Sequence, residues 1–157
     1  MTGKQTSDIM THYLEEEYMT KEEIIEVFYS NYDAFCEVAE YLLPKTGYTG
    51  MELSQDGDKI ILSKNGPTGM RETDTVELGT VEIGAQIKLI CDFGFEGVGR
   101  DKDGTRIYFS MRYFDPPADI GLPCSRGIIY VPEGLGNARP EDILKKDNWY
   151  YFFLRFE

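Results

Sequence analysis

The chain has 157 residues and a formal net charge of −12 at pH 7, and hydrophobic residues make up 41% of it. This share of apolar side chains predicts one folded domain over residues 1–157 rather than a disordered chain. Because negative charge repels phosphate groups, the charge balance argues against direct binding to nucleic acids or anionic membranes. The sequence has no apolar segment of about 18 residues and no basic start followed by an apolar stretch, so a cytoplasmic location is expected.

Cysteine and histidine are too few and too scattered for the common metal and catalytic sites. Cys36, Cys91 and Cys124 lie far apart, and His12 is the only histidine. This spacing fits neither a disulfide framework nor the paired ligands of a zinc site. One histidine cannot build a His-rich metal centre. We therefore expect reduced thiols, no metal, no cofactor and no catalytic residues.

The first third of the chain is predicted to be helical. Residues 1–19 are expected to be a mobile N-terminal segment, although Ser7-Asp8 would suit the start of a short helix there. Thr20 and Glu23 match a capping box, which predicts the start of a helix. Apolar residues then recur at spacings of three and four, which predicts a long helix packed on a sheet. This stripe consists of Ile25, Phe28, Tyr32, Phe35, Ala39 and Leu42.

Beyond Gly50 the apolar pattern changes to the alternation that is typical of strands. The pair Asp56-Gly57 marks a tight hairpin. The Gly-rich segment 93–104 and the Pro-rich segment 115–126 are expected to be loops, and Pro140 opens one or two helical turns. The predicted strands cover 51–54, 59–63, 73–81, 85–92, 106–114, 127–131 and 149–156.

The last predicted strand is aromatic on both of its faces. A strand of this kind at the edge of a sheet would invite pairing with other chains. We therefore expect it in the centre of the sheet or under a covering helix. Alternation puts Trp149, Tyr151, Phe153 and Arg155 on one face, and Tyr150, Phe152, Leu154 and Phe156 on the other.

The order of these elements predicts the fold class. Helical periodicity comes first and strand periodicity follows, with short connections between the strands. Such an order is typical of helices packed on one face of an antiparallel sheet. The sequence therefore predicts an α+β domain, in which a long N-terminal helix, or two helices, packs on a mostly antiparallel, twisted sheet of five to seven strands.

Acidic residues are concentrated in the first third of the chain. Residues 1–50 contain ten acidic side chains and three lysines. One interpretation is a solvated helix face that keeps the protein soluble. The other is an acidic surface that attracts a basic partner protein. The candidate partner-binding residues are Glu15, Glu16, Glu17, Glu22, Glu23 and Glu26.

A second group of residues combines arginines with aromatic side chains. If the strand at 106–114 and the loop at 115–126 border a cleft, an arginine with aromatic walls could hold a carboxylate or a phosphate. The alternative is that the arginines offset neighbouring acids, while the tyrosines belong to the core and keep their hydroxyls at the surface. The candidate ligand-binding residues are Arg106, Tyr108, Arg112, Arg126 and Tyr130.

Three classes of function remain open. The charge excess and the lack of a catalytic motif favour a non-enzymatic protein-binding module, such as an inhibitor or an immunity protein that covers a basic partner surface. In size and composition the chain resembles the small acidic immunity and anti-effector proteins of bacteria. The alternatives are a sensing domain for a small anionic ligand and an enzyme that uses carboxylates and tyrosines without histidine. A buried carboxylate with a shifted pKa would be the sign of the enzyme.

Overall fold

The computed structural model describes residues 19–42, 47–100, 106–115 and 122–155, with the side chains of 112–115, 122–124 and 155 left out. Within these ranges three helices pack on a seven-stranded antiparallel sheet, which confirms the α+β class and the expected number of strands. The helices are α1 (Lys21–Ser30), α2 (Tyr32–Tyr41) and α3 (Gly84–Asp92), with 3₁₀ turns at Leu78–Thr80 and Pro140–Asp142. The strands are β1 (Gly50–Leu53), β2 (Lys59–Asn65), β3 (Arg71–Glu77), β4 (Gly97–Arg100), β5 (Ile107–Asp115), β6 (Leu122–Tyr130) and β7 (Trp149–Arg155).

The strands lie in the order β3-β2-β1-β4-β5-β6-β7, and every neighbouring pair is antiparallel. Because β7 pairs with β6 alone in this order, the last strand is not central, and of the two expected positions the one under a covering helix agrees with the structure. The first three residues of β7 are buried, whereas Phe153 and Leu154 near its end are exposed. On one face, the ring of Trp149 lies 4.9 Å from that of Phe28 in α1. At the start of its outer edge, Ile143 forms a bridge with Tyr150.

The predicted apolar stripe faces the core, but the chain forms two helices of ten residues where one long helix was expected. The capping box at Thr20 and Glu23 is present. The helices meet at Asn31, whose side-chain amide donates to the carbonyl oxygen of Val27 at 2.9 Å and so competes with regular helical bonding. The helix considered after Ser7-Asp8 lies outside the described residues. The buried residues of the two helices and of the cap that follows them are Ile24, Phe28, Ala34, Phe35, Val38, Ala39 and Leu42.

The segment predicted as a strand at 85–92 belongs to the helix α3, so that prediction is wrong. Ile83, Ile87 and Ile90 are buried, and their spacings of four and three place them on one helical face. Alternation would bury Leu89 together with Ile87, yet Leu89 is exposed. Neither α3 nor another helix in the described ranges is long and apolar enough to cross a membrane.

Two segments predicted as loops contribute to strands, so these loop predictions are wrong in part. The strand β4 lies within the segment 93–104, and β6 begins at Leu122 inside the segment 115–126. Glycine allows close pairing here, because a Cβ atom at Gly97 would lie 2.8 Å from the backbone oxygen of Met51. In β4 glycine therefore marks tightly paired strands rather than a turn.

An aromatic cluster fills the space between the helices and the C-terminal half of the sheet. The ring centroids of Phe28 and Phe35 are 5.3 Å apart, and those of Phe35 and Phe109 are 4.8 Å apart. All three side chains are fully buried, and Trp149 is 2% exposed. Burial of each large apolar side chain contributes about 1.5–3 kcal/mol. These contacts hold α1 and α2 against the sheet.

The opposite face of the sheet carries no helix among the described residues. The loop at 131–139 covers its β6–β7 end, where Leu135 and Ala138 pack with Ile129 and Tyr150. The backbone N–H of Leu135 donates to the hydroxyl of Tyr150 at 3.0 Å. No described residue outside the sheet covers the part of this face above β1, β2 and β4, and we call it the open sheet face.

Candidate functional site

Acidic side chains line the outer faces of α1 and α2. They are four residues apart in α1 and four and three residues apart in α2, and each lies two residues from a buried residue of its helix. The two sets therefore lie on opposite sides of each helix, with the acidic side away from the sheet. All of these acidic residues are exposed. We call this set the acidic ridge: Glu22, Glu26, Asp33, Glu37 and Glu40.

The acidic ridge has no counter-ion in the part of the chain that the structure describes. None of its carboxylates forms an ion pair there, and Glu37 accepts a hydrogen bond from the amide of Gln86 in α3. Lys21, the only basic residue of α1 and α2, is bound to Asp142 with an N–O distance of 2.7 Å. Because charges of one sign stand together without partners, the surface attracts cations.

The predicted partner-binding residues have different positions. Glu22 and Glu26 belong to the acidic ridge. The carboxylate of Glu23 accepts a hydrogen bond from the backbone N–H of Thr20 at 3.1 Å, so it serves the start of α1. The remaining three, Glu15, Glu16 and Glu17, lie outside the described residues.

A groove lies beside the acidic ridge where α1 ends and α2 begins, and we call it the junction groove. Its volume is about 410 Å³, and its lining includes Tyr29, Tyr32, Asp33 and Leu89. The last turn of α1 contains no basic residue. The partial negative charge at the C-terminus of α1 is therefore not offset by a side chain of that turn. The N-terminus of α2 lies in the same groove with the opposite partial charge, so the group that a cation there would meet is the carboxylate of Asp33.

Two apolar side chains are exposed on the side of α3 that adjoins the ridge. Leu89 is 40% exposed and Phe93 is 38% exposed. Their spacing of four residues places them on the same side of the helix. Gln86, one turn earlier, contacts Glu37 of the ridge. The surface thus places an apolar pair beside the acidic ridge, and the neighbouring cation Lys88 is ion-paired with Asp92 of the same helix.

Tyr32 presents an uncharged ring to the junction groove at neutral pH. The pKa of Tyr32 is raised to about 12, mainly by a hydrogen bond with Cys36 and to a smaller extent by burial. On the side next to β7, the ammonium of Lys146 lies 4.6 Å from the centroid of this ring. The ring also packs edge-on against Trp149, with centroids 6.2 Å apart. These contacts fix the position of the groove wall.

A second groove of about 330 Å³ lies on the open sheet face, and glycines of β1 and β4 form its floor. Arg71 of β3 borders it. Its Nη2 donates to Oγ of Ser63 at 2.9 Å and lies 3.7 Å from a carboxylate oxygen of Glu52. The guanidinium is exposed, and the neighbouring carboxylate offsets part of its charge. This groove is open to solvent and contains groups of both signs.

The structure distributes the predicted ligand-binding residues over both faces of the sheet. Tyr108 lies on the face without helices, together with Arg106, to which it is hydrogen-bonded. Arg126 and Tyr130 lie on the helix-covered face, as their pairing and packing show. The side chain of Arg112 is outside the described part. The four described side chains are not brought into one pocket, and ligand binding by any of them stays a prediction.

Two of these arginines have contacts within the protein. Arg126 is 6% exposed, and its Nη2 donates to the backbone oxygen of Met19. Nε of Arg106 lies 3.5 Å from a carboxylate oxygen of Glu133. Arg126 therefore ties the entry of α1 to the sheet, and Arg106 is placed beside an acid at the surface.

The exposed apolar pair Leu89 and Phe93 was not found from the sequence. It was missed because 85–92 was predicted to be a strand, in which Leu89 would lie on the same face as the buried Ile87. The helical spacing of Ile87 and Ile90 was the signal that could have corrected it. No local sequence pattern predicts the junction groove, because it forms where three helices come together.

The described residues contain few of the features that enzymes require. Ser63 and Arg126 are the buried polar or charged side chains in this part of the chain. No group of three His, Cys, Asp or Glu side chains within the same ranges is placed to hold a metal ion. The enzyme hypothesis thus gains no supporting observation from the part of the chain that is described.

Comparison of the chain with protein-family models, with curated proteins and with solved structures gave no match. The chemistry of the surfaces described above is therefore the basis for assigning a function.

Proposed function

We propose that this protein is a non-enzymatic, acidic protein-binding module of the cytoplasm that covers a basic surface of a partner protein, as an inhibitor or an immunity protein does. The acidic ridge carries this proposal. A face that serves solubility alone can mix both signs of charge. The ridge has one sign over two adjoining helices, and such a field speeds encounter with a cationic partner.

The same charge defines which partners are disfavoured. Nucleic acids and anionic membranes present phosphate groups, which the ridge repels. A basic protein surface presents ammonium and guanidinium groups instead of phosphates. The carboxylates of the ridge attract these groups. The net charge of −12 adds long-range attraction to this local effect.

Two charge-reversal variants of equal net charge test the proposal. A pull-down from the native organism with the wild-type chain, eluted at rising salt, supplies the partner. Association rates are then measured with the purified partner by stopped-flow fluorescence. The ridge variant carries lysine at Glu22, Glu26 and Glu40, and the control variant carries lysine at the exposed residues Asp56, Glu72 and Glu77 of the β2–β3 end.

The ridge variant should associate about tenfold more slowly than wild type at about 50 mM salt, and the control variant within about twofold of it. Both should keep their melting temperature within a few degrees, because exposed charges contribute little to stability. An association rate that the ridge reversal leaves unchanged, and that is equal at about 50 and 500 mM salt, would contradict the proposal.

The groove on the open sheet face supports a second candidate function, the sensing of a small anionic ligand. The observation in its favour is Arg71, an exposed guanidinium held against Ser63 at the edge of a glycine-floored groove. Titration with inorganic phosphate and acetate, followed by NMR, tests it. Shifts of the groove resonances that disappear in Arg71→Ala would favour this function, and uniform small shifts would count against it.

A further inference from the structure

We infer that the basic partner docks through an amphipathic helix whose apolar side chains pack on Leu89 and Phe93 and whose cations face the acidic ridge. This inference rests on the proposed function and specifies the element of the partner that makes the contact. The observation behind it is the juxtaposition of an exposed apolar pair at α3, a groove, and carboxylates of α1 and α2 that form no ion pair among the described residues.

The two apolar side chains are about one helical turn apart, so neighbouring anchors of a docked helix could contact both. Leu89 and Phe93 are four residues apart, which is about 6 Å along the axis of a helix. Amphipathic helices present their own anchors at spacings of three and four residues. Leu89 also forms a wall of the junction groove, so an anchor that packs on it has a depression to enter. Exposed apolar side chains beside a groove are the usual anchor points of such surfaces.

Charge complementarity decides the chemistry of the docked helix. Asp33 lines the junction groove together with Leu89, and Glu37 contacts Gln86 one turn before Leu89, so carboxylates stand beside the first residue of the apolar pair. Lysine or arginine residues that flank the anchors would meet them. The ammonium of Lys146 already lies over the ring of Tyr32 on the side next to β7. A cation of the docked helix therefore approaches from the side of α3. A second copy of this chain is disfavoured, because it would bring two acidic ridges together.

Synthetic peptides serve as the probe. The first is an 18-residue peptide of leucine and lysine arranged with one apolar and one basic helical face. The second has the same composition in an order that leaves no apolar face, and the third replaces every lysine with glutamate. Binding to the full chain is measured by isothermal titration calorimetry and mapped by NMR.

The amphipathic basic peptide should bind at least about tenfold more tightly than its reordered isomer, and the glutamate peptide should not bind. Its largest shifts should fall on Asp33, Leu89 and Phe93. The double substitution Leu89→Gln with Phe93→Gln should weaken binding about tenfold or more. The control Met70→Gln should leave it unchanged, because Met70 is also exposed but lies between β2 and β3.

Failure of this inference can be told apart from failure of the proposed function. If the basic peptides bind equally and the double substitution has no effect, the surface recognises charge alone, so the helix inference is wrong while the proposed function stands. Absence of binding by the amphipathic peptide also overturns the inference. The proposed function itself is tested separately, by the association rates of the charge-reversal variants. Circular dichroism shows whether the double variant is folded. If it is not, the single variant Leu89→Gln is used in its place.

Discussion

Gly127 of β6 shows why single glycines matter in this sheet. It pairs with Ser110 of β5, and a Cβ atom at this position would collide with the backbone oxygen of Phe109. Gly136, in contrast, has no atom within 4 Å of the place where its Cβ would be. The first glycine is therefore required by packing, and the second is not.

Gly127→Ala should lower the free energy of unfolding by about 1–3 kcal/mol, because the added methyl group forces β5 and β6 apart. Gly136→Ala should stay within about 0.5 kcal/mol of wild type. Urea unfolding midpoints measure both effects. Equal midpoints for the two variants would show that the strands adjust without cost.

Cys91 links stability to alkaline pH. Burial raises the pKa of its thiol to about 11, whereas an unfolded cysteine titrates near pH 8.5. The folded protein therefore holds the proton more tightly than the unfolded chain. The stabilising contribution is complete below about pH 8.5 and is lost as the pH rises to about 11.

The free energy of unfolding should consequently fall between about pH 8 and pH 10.5, and it should fall less in Cys91→Ala. Urea unfolding at these two values gives the comparison. Tyr32, whose pKa is raised to about 12, adds its main effect at still higher pH in both proteins. A slope that Cys91→Ala leaves unchanged would assign the alkaline loss to other groups.

At the scale of elements, α1 and α2 each separate an apolar side from an acidic side. The apolar side holds Phe28 and Phe35 against the sheet, both fully buried. The acidic side holds Glu40, which is exposed and makes no ion pair within the described part of the chain. Stability therefore depends on one side of these helices, and the proposed partner binding depends on the other.

Phe28→Ala and Phe35→Ala should each lower the free energy of unfolding by about 3–5 kcal/mol, because each leaves a cavity in the aromatic cluster. Glu40→Ala should stay within about 0.5 kcal/mol of wild type. Urea unfolding of the three variants measures the difference. Similar losses in all three would refute the assignment of the two helix sides.

At the scale of the whole molecule, negative charge opposes the compact state. The chain carries a net charge of −12, and the acidic ridge adds a local concentration of one sign. Salt at about 150 mM screens charges more than about 8 Å apart. The folded state should therefore gain stability as the ionic strength rises.

Raising the salt from about 20 to about 300 mM should increase the melting temperature of the wild type by a few degrees. The ridge variant with three lysines should show a smaller increase, because its repulsion is already relieved. Thermal unfolding followed by circular dichroism gives both values. A melting temperature that falls with salt would mean that favourable ion pairs outweigh the repulsion.

Local patterns in the sequence were enough for the fold class and for part of the site. The capping box at Thr20 and the stripe through Phe28 and Phe35 predicted a helix packed on a sheet, because periodicity and capping depend on neighbouring residues alone. Glu22 and Glu26 were found for the same reason, since they fall opposite that stripe.

The tertiary structure decided what depends on which surfaces are covered. It placed β7 at the edge, where α1 covers Trp149 and the loop at 131–139 covers Tyr150, while Phe153 and Leu154 stay exposed. It showed that 85–92 is a helix, which the sequence did not predict because over so short a segment the alternation of Ile87 with Leu89 competes with the helical spacing of Ile87 and Ile90. It also exposed Leu89 beside Asp33, a meeting of separate helices that no local pattern contains.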